Sequence, residues 1–357
     1  MYKNSELDLN RLLNKMLEID ASDLHFIVGK PPVYRIHGSL LEDSDRDILS
    51  PERVLSLVEV LVPKEKKEIL DHQRHVDFSY AFKDNHRLRV NTYYQKDTLA
   101  VSIRLIPNKI KTIEELNLPD VLKSFIDYKL GLVLVVGPTG HGKSTALASV
   151  IDQINHVRSE HILTIEDPIE YMFVQDKSII SQREIFRDAV SFASALTAAL
   201  REDPNVVMVG EMRDLDSVTT TITLAETGHL VFATLHTNDA AQSIDRVVDV
   251  FPPYQQPQIR SQLASVLIGV MSIRLLPRIG GGLIPATEVM IADTAIRNVI
   301  RENRTFEIYN IIHSSGAKGM ISLDRYLAEL VKKNLVQYQS AAPFARDAEL
   351  FSSLVAR

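Results

Sequence analysis

Hydrophobic and polar positions form two different patterns in the first third of the chain. Hydrophobic residues recur at three- and four-residue spacing between positions 9 and 17, which predicts an amphipathic opening helix with one buried face. Short runs of β-forming residues over 24–28 and 33–36, and alternation over 76–82, predict strands. Ser50 followed by Pro51 predicts the start of a helix over 52–61. The pattern therefore predicts an N-terminal domain of mixed helices and strands over residues 1–107.

Two further strands carry arginines on their polar side. Arg87 and Arg89 alternate with hydrophobic residues in the first strand, and Arg104 does so in the second. The chain bends between them near Lys96-Asp97, and a symmetric hairpin about that bend places Arg89 directly opposite Arg104. Like charges in this position repel each other. Either an anion such as a nucleotide phosphate lies between the arginines, or they point apart on a solvated sheet face.

Residues 108–120 are predicted to be a linker, because they are rich in charged residues and Pro107 and Pro119 flank most of them. Beyond this linker, apolar runs alternate with helical patterns, which is typical of a parallel sheet with helices on its faces. Strands are predicted over 132–136, 162–165, 206–209 and 230–235. The second domain is predicted to span 121–357, with a C-terminal part that is mostly helical after about residue 255.

A glycine-rich loop follows the first of these strands directly and leads into a helix-forming stretch. Its pattern is G-x-x-x-x-G-K-[ST], in which backbone N–H groups approach phosphates, Lys143 reaches the β- and γ-phosphates, and Ser144 offers a hydroxyl to Mg²⁺. The N-terminus of the helix adds partial positive charge at the same place. The nine residues predicted to bind nucleotide are Gly137, Pro138, Thr139, Gly140, His141, Gly142, Lys143, Ser144 and Thr145.

Carboxylates follow two other predicted strands, where an open α/β sheet places its ligands. Residues 164–170 contain three acids, among them Glu166, which can orient a water molecule or hold Mg²⁺ through its water shell; exposed turns also collect acids without such a role. Glu211 follows the strand at 206–209, where the aspartate usual in P-loop enzymes is replaced by Gly210. Glu211 is therefore expected to act on the metal's hydration shell, which leaves proton acceptance to a carboxylate such as Glu166.

His229 and His236 bracket the strand at 230–235. Seven residues of extended chain separate them by about 23 Å and place them on opposite faces, which argues against a shared metal site. His236 either senses the γ-phosphate or lies at a subunit boundary, and His229 can satisfy a helix end. A single histidine at a strand end is more often structural than functional.

Composition excludes several classes of function. The formal net charge of −6 argues against broad nucleic-acid binding. The absence of cysteine excludes disulfides, cysteine-based zinc sites and thiol nucleophiles. No apolar stretch reaches the roughly 20 residues of a membrane span, and the polar N-terminus lacks the apolar core of a secretory signal. We therefore expect a cytoplasmic protein whose membrane contact is peripheral.

Taken together, the motifs GPTGHGKST, ILTIEDPIEY, VVMVGEMRD and TGHLVFATLHTNDA, in this order, resemble those of the ATPases of type II secretion systems and type IV pili. Within that superfamily the chain is most similar to the pilus retraction ATPases, the PilT family. SDLHFIVGKPPVYRIHG, RLRVNTYYQ, VSIRLIP and the C-terminal AIRNVIRE also match this family. The resemblance extends from about residue 22 to residue 335.

The resemblance implies an α/β protein with a PAS-like N-terminal α+β domain and a RecA-like ATPase domain. It also implies a homohexameric ring that uses ATP and Mg²⁺ beneath an inner-membrane pilus platform protein, with no nucleic-acid partner. By this resemblance, Lys143 and Ser144 bind phosphate and Mg²⁺, and Glu166 is the catalytic carboxylate. Glu211 holds the metal through water, and His229 and His236 form a histidine box. Arg89 and Arg104 approach the triphosphate.

Two positions depart from the family pattern. His141 stands where serine is usual in the phosphate loop, and Ile273-Arg274 replaces a common glutamine in a Ser-Gln-x-Leu-Leu-Pro stretch. In AIRNVIRE, the apolar spacing predicts a helix that carries Arg297 and Arg301 on a second face, either to transmit the ATPase stroke or simply to meet solvent.

The expected function is a motor that drives pilus retraction and twitching motility. Assembly and type II secretion ATPases are the nearest alternative, but they usually carry a further N-terminal domain and a four-cysteine zinc site. A non-hydrolysing ATP-binding partner of a second motor is an alternative of another class. The presence of Lys143, Glu166 and Glu211 argues against it.

Overall fold

The structure is a computed structural model that describes residues 2–36, 38–83, 86–107 and 109–356. The chain divides into two compact units, one of residues 1–109 with 170–172, the other of residues 110–169 and 173–357. Met1 of the predicted N-terminal domain and Asn108, the first residue of the predicted linker, lie outside the described residues. In the part of the chain that the structure describes, every helix is too short or too polar to cross a bilayer.

The first unit packs helices against one antiparallel sheet. Its elements are α1 (Tyr2–Glu18), β1 (Asp23–Ile27), β2 (Val33–Ile36), β3 (Ser39–Glu42), α2 (Pro51–Leu61), α3 (Lys64–Gln73), β4 (His75–Phe82), β5 (His86–Gln95) and β6 (Thr98–Ile106), and the strand order is β3-β2-β1-β6-β5-β4. Leu9, Leu13 and Met16 of α1 bury the predicted apolar face against this sheet. The pattern does not predict β3 or α3, because β3 is exposed throughout and α3 buries only Leu70.

The arginine strands form the predicted hairpin. Lys96 and Asp97 make the turn with φ values of 46° and 60°, the left-handed conformation of a two-residue hairpin loop. The register follows from this turn, and it places Arg89 of β5 directly opposite Arg104 of β6. The prediction of an opposed arginine pair is therefore confirmed.

The second unit is an α/β layer structure. Its elements in the first half are α4 (Val121–Phe125), β7 (Gly131–Val136), α5 (Lys143–Val157), β8 (His161–Glu166), β9 (Ile179–Glu184), α6 (Phe192–Ala199), β10 (Val206–Val209), α7 (Leu215–Glu226), β11 (Leu230–Leu235) and α8 (Ala240–Asp249). The second half contains α9 (Gln256–Val266), β12 (Leu267–Pro277), β13 (Leu283–Ile291), α10 (Thr294–Arg301), α11 (Ile308–Ser314), α12 (Leu323–Lys332), α13 (Tyr338–Ala341) and α14 (Ala348–Ala356).

The sheet of this unit has the strand order β13-β12-β7-β11-β10-β8-β9, and its strands from β12 to β9 pair in parallel. β7, β10 and β11 are buried along their whole length, which is why they appear in the sequence as continuous apolar runs. The α/β prediction and the four predicted strands of this unit are confirmed.

The prediction that the chain becomes mostly helical after about residue 255 is wrong for β12 and β13. These strands form an antiparallel hairpin that extends the sheet beyond β7. Both faces of β12 are buried, so its sequence has no alternation, and a continuous apolar run cannot be told from a buried helix by periodicity.

Candidate nucleotide-binding and hydrolysis site

The phosphate loop connects β7 to α5 as its sequence predicts. Gly137, Gly140 and Gly142 all have positive φ, and Gly142 sits at the N-cap position of α5 in the left-handed conformation. A Cβ on Gly137 would lie 2.5 Å from the backbone oxygen of Ile273, so no larger residue fits there. The curved loop and the helix N-terminus together form a cradle for phosphate.

Lys143 lies inside this curve and is only 7% exposed. Its ammonium donates to the carbonyl oxygens of Gly137 at 2.9 Å and Pro138 at 3.1 Å, and it lies 3.3 Å from Nδ1 of His236. The loop thus holds its own cation at the place where a phosphate would be bound.

His236 joins this lysine to Glu211. Its Nδ1 faces the ammonium of Lys143 and the hydroxyl of Thr139, and its Nε2 lies 3.3 Å from Oε1 of Glu211. The lysine can only donate, so Nδ1 is the acceptor and Nε2 carries the proton toward the carboxylate. The structure therefore brings together three side chains that the sequence predicted separately.

Strand order explains why these residues meet. One edge of the sheet carries four of the predicted groups in spatial order. They are the loop after β7, His236 after β11, Glu211 after β10 and Glu166 at the end of β8. Neighbouring strands lie about 4.8 Å apart, so β10 is about 10 Å and β8 about 14 Å from the strand of the phosphate loop. Glu211 is thus the carboxylate nearer to the loop.

Arg213 links Glu211 to the acidic residues of the 164–170 segment, a role that the sequence did not predict. Nε of Arg213 donates to Oε2 of Glu211 at 2.6 Å, and its Nη1 lies 3.8 Å from Oδ2 of Asp167. The hydrogen bond to Glu211 raises the pKa of the Arg213 guanidinium, which remains a permanent cation beside the two acids.

Glu166 is buried at the end of β8, and its carboxylate is held from two sides. The hydroxyl of Thr164 donates to its Oε1 at 2.7 Å, and the amide of Gln182 in β9 lies 3.4 Å from the same oxygen. Thr164 is two residues before Glu166 and therefore on the same face of the strand, a signal that the sequence carried. No such signal identified Gln182.

A cavity of about 470 Å³ opens beside the pair of Glu211 and His236. Its other wall is formed by α8, which contributes Gln242 and Arg246. The pair is therefore accessible from the side of α8 as well as from the phosphate loop.

His229 is not brought into this group of residues. It precedes β11, at the opposite end of the strand from His236, and its ring nitrogen Nδ1 lies 2.9 Å from the carbonyl oxygen of Leu224 near the end of α7. Within this chain the geometry favours the helix-end interpretation and does not support a catalytic position for His229.

Arg89 and Arg104 belong to the first unit, and carboxylates on neighbouring strands face them. Nε of Arg104 donates to Oδ1 of the buried Asp23 at 2.8 Å, and Nε of Arg89 lies 4.0 Å from Asp77. The pair is thus tolerated without an anion, because each guanidinium has a carboxylate on the side away from the other. Of the two alternatives, the contacts within this chain favour arginines that point apart, and a contact with phosphate stays a prediction.

A family model for "Type II/IV secretion system protein" matches residues 3–335. The chain is 43% identical to "Type IV pilus retractation ATPase PilT" of Pseudomonas aeruginosa, over 97% of this chain and all of that protein. It is 41% identical to "Twitching motility protein" of Neisseria gonorrhoeae, over 90% of this chain and 86% of that one.

Among solved structures, the crystal structure of the pilus retraction motor PilT with bound ADP superposes with a TM-score of 0.90 at 44% identity. The superposition covers 95% of this chain and 97% of that one. The resemblance inferred from the motifs is confirmed, as is the prediction of an ATP-hydrolysing enzyme. The chain therefore belongs to the type II/IV secretion system proteins and, within them, to the PilT family of pilus retraction ATPases.

Proposed function

We propose that this protein hydrolyses ATP in the presence of Mg²⁺ and uses the energy to retract type IV pili. The observation that carries the proposal is the contact of Lys143, His236 and Glu211 at the phosphate loop, in a chain whose similar relatives include a pilus retraction ATPase and a twitching motility protein.

The cradle fits a triphosphate and its metal. Three glycines free the loop backbone to approach phosphate oxygens, and Lys143 supplies the compensating charge. The Ser144 hydroxyl and the Glu211 carboxylate are hard oxygen donors of the kind that Mg²⁺ prefers, Ser144 directly and Glu211 through water. When bound, Mg²⁺ would be held by these two residues and would offset the negative charge that develops during phosphoryl transfer.

The carboxylates divide the remaining work. Glu166 orients the attacking water and accepts its proton; the hydrogen bond from Thr164 fixes the direction of its carboxylate. His236 contacts both Lys143 and Glu211 and so fixes the positions of these two side chains relative to each other. Arg89 and Arg104 approach the triphosphate from an N-terminal domain, and their exposed guanidinium groups can exchange the carboxylates for phosphate.

The chain works as a homohexameric ring at the cytoplasmic face of the inner membrane, beneath a platform protein of the pilus machinery. The domains of each subunit are a PAS-like domain over 1–107, a linker over 108–120 and a RecA-like domain over 121–357.

The proposal is tested in two steps. Purified protein should release phosphate from ATP only with Mg²⁺, and Lys143→Ala should abolish the release. A deletion strain should carry long, abundant pili that do not retract, and the wild-type gene, but not Lys143→Ala, should restore retraction. Loss of pili in the deletion strain would instead indicate an assembly motor, and no phosphate release would indicate a non-hydrolysing partner subunit.

A further inference from the structure

Strand β12 runs past the end of its neighbour β7 and continues behind the phosphate loop. Ser272 is paired with Val136, the last residue of β7, and β12 extends to Pro277. Residues 273–275 therefore lie beside the loop rather than beside another strand on that side.

Two contacts connect this segment to the phosphate loop. The backbone of Gly137 approaches the oxygen of Ile273 so closely that a side chain is excluded. The backbone N–H of Leu275 donates to Nδ1 of His141 at 2.9 Å. The acceptor for this N–H is thus the His141 ring, which points toward β12, and not the carbonyl oxygen of a neighbouring strand.

The same segment holds the loop that carries His236. Arg274 is only 7% exposed, and its Nη2 donates to the backbone oxygen of Asn238 at 2.7 Å and to its side-chain oxygen at 3.1 Å. The hydroxyl of Ser272 donates to the same backbone oxygen at 2.7 Å. Asn238 is two residues after His236, so this anchoring limits where the imidazole can lie.

We propose that His141 and Arg274 are positioning residues for ATP hydrolysis, through which β12 fixes the phosphate loop and the His236 loop relative to each other. They thereby set the 3.3 Å contact between Lys143 and His236. This inference rests on the proposed ATPase function.

The chemistry of His141 agrees with this role. Nδ1 accepts a hydrogen bond, so the ring must be neutral. Burial lowers the pKa of His141, and the nearby cations Arg274 and Lys143 lower it further. The acceptor is therefore kept at neutral pH.

The His141 half is tested with His141→Ala and His141→Asn in the full-length protein, measuring steady-state ATP hydrolysis. Loss of the acceptor should let the phosphate loop move and raise KM for ATP about tenfold, the effect of one hydrogen bond. The amide oxygen of His141→Asn can replace Nδ1, so this variant should raise KM less than His141→Ala does. Equal KM values for the two variants would overturn the role of His141.

The Arg274 half is tested with Arg274→Ala, with Arg278→Ala as the matched control, since Arg278 is exposed just beyond the same strand. Arg274→Ala should lower kcat about tenfold and leave KM within about threefold, because it displaces His236 rather than the phosphate loop. Arg278→Ala should behave as the wild type. If Arg274 acts through His236, then Arg274→Ala should have no further effect on kcat in a His236→Ala background, whereas multiplied losses would overturn the inference.

A second variant serves as the control for misfolding. Arg274→Ala removes a cation that interacts with the buried Glu288, so Arg274→Ala combined with Glu288→Gln is measured in parallel. A tenfold lower kcat in this folded double variant supports the role, and a wild-type kcat contradicts it. Failure of the wild type to hydrolyse ATP would refute the proposed function. Normal kinetics of His141→Ala and Arg274→Ala, with Lys143→Ala inactive, would refute this inference alone.

Discussion

Arg297 of α10 should be a stabilising residue rather than a member of a solvent-facing arginine pair. Its guanidinium donates to the carbonyl oxygens of Ala292 at 2.8 Å, Ala264 at 2.5 Å, Ser265 at 2.5 Å and Leu267 at 2.8 Å. Three of these acceptors lie at the end of α9 and the start of β12, where carbonyls lack partners within the helix. Arg297 therefore joins α10 to α9.

The cost of Arg297→Ala follows from these contacts. Three of the four hydrogen bonds are partly buried and the one to Ser265 is exposed. At about 1 kcal/mol for each partly buried bond, the variant should lose about 3 kcal/mol of unfolding free energy. For a unit of this size, that corresponds to a melting temperature lower by roughly 6 to 12 °C.

Arg301 provides the matched control. It lies one turn later on the same helix, and its guanidinium donates to the side-chain oxygen of Asn298 at an exposed position. Urea unfolding followed by circular dichroism should place Arg301→Ala within about 0.5 kcal/mol of the wild type. Arg297→Lys should be intermediate, because a single ammonium cannot reach all four carbonyls. If Arg297→Ala is as stable as Arg301→Ala, the anchoring role is refuted.

Three other changes test the site and its surroundings. Glu166→Gln should retain ATP binding and lose turnover, whereas Lys143→Ala should lose phosphate contact as well; near-normal turnover of Glu166→Gln would transfer the role to Glu211. Arg89→Ala should lower turnover by about 10³-fold if the guanidinium stabilises the transition state, and a wild-type rate at saturating ATP would leave Arg89 as a solvated residue. Burial raises the pKa of Glu288 from 4.5 to about 7, so its contribution to stability is complete below about pH 4.5 and is lost as pH rises to 7. The stability of Glu288→Gln relative to the wild type should therefore increase by about 3 kcal/mol across that interval in urea unfolding; a constant difference would show that Glu288 titrates normally.

Local patterns predicted individual elements well. The turn at Lys96-Asp97 alone sets the register of β5 and β6, so the opposition of Arg89 and Arg104 followed from counting residues. The phosphate loop was equally accessible, because a strand, a glycine pattern and a helix are consecutive in the sequence.

Contacts between distant segments could not be predicted in this way. The meeting of His236 with Glu211 depends on β11 lying between β7 and β10, an order that the sequence does not encode locally. The partners of Arg297 were hidden for the same reason, since helical spacing shows which residues share a face but not what that face meets. Asp23, which accepts from Arg104, belongs to a strand far away in the sequence.

The hydrogen bonds of Lys143 have a thermodynamic consequence for a machine that turns over repeatedly. The Lys143 ammonium already has hydrogen-bond partners in the carbonyls of Gly137 and Pro138 and the imidazole of His236. When a phosphate binds the ammonium, one set of hydrogen bonds is therefore exchanged for another. Affinity is then a difference between two satisfied states rather than the full strength of an ion contact. When the product departs, the same acceptors recapture the lysine, so a buried cation need not be left without a partner. Release is thereby made easier, and the cradle is ready for the next molecule of ATP.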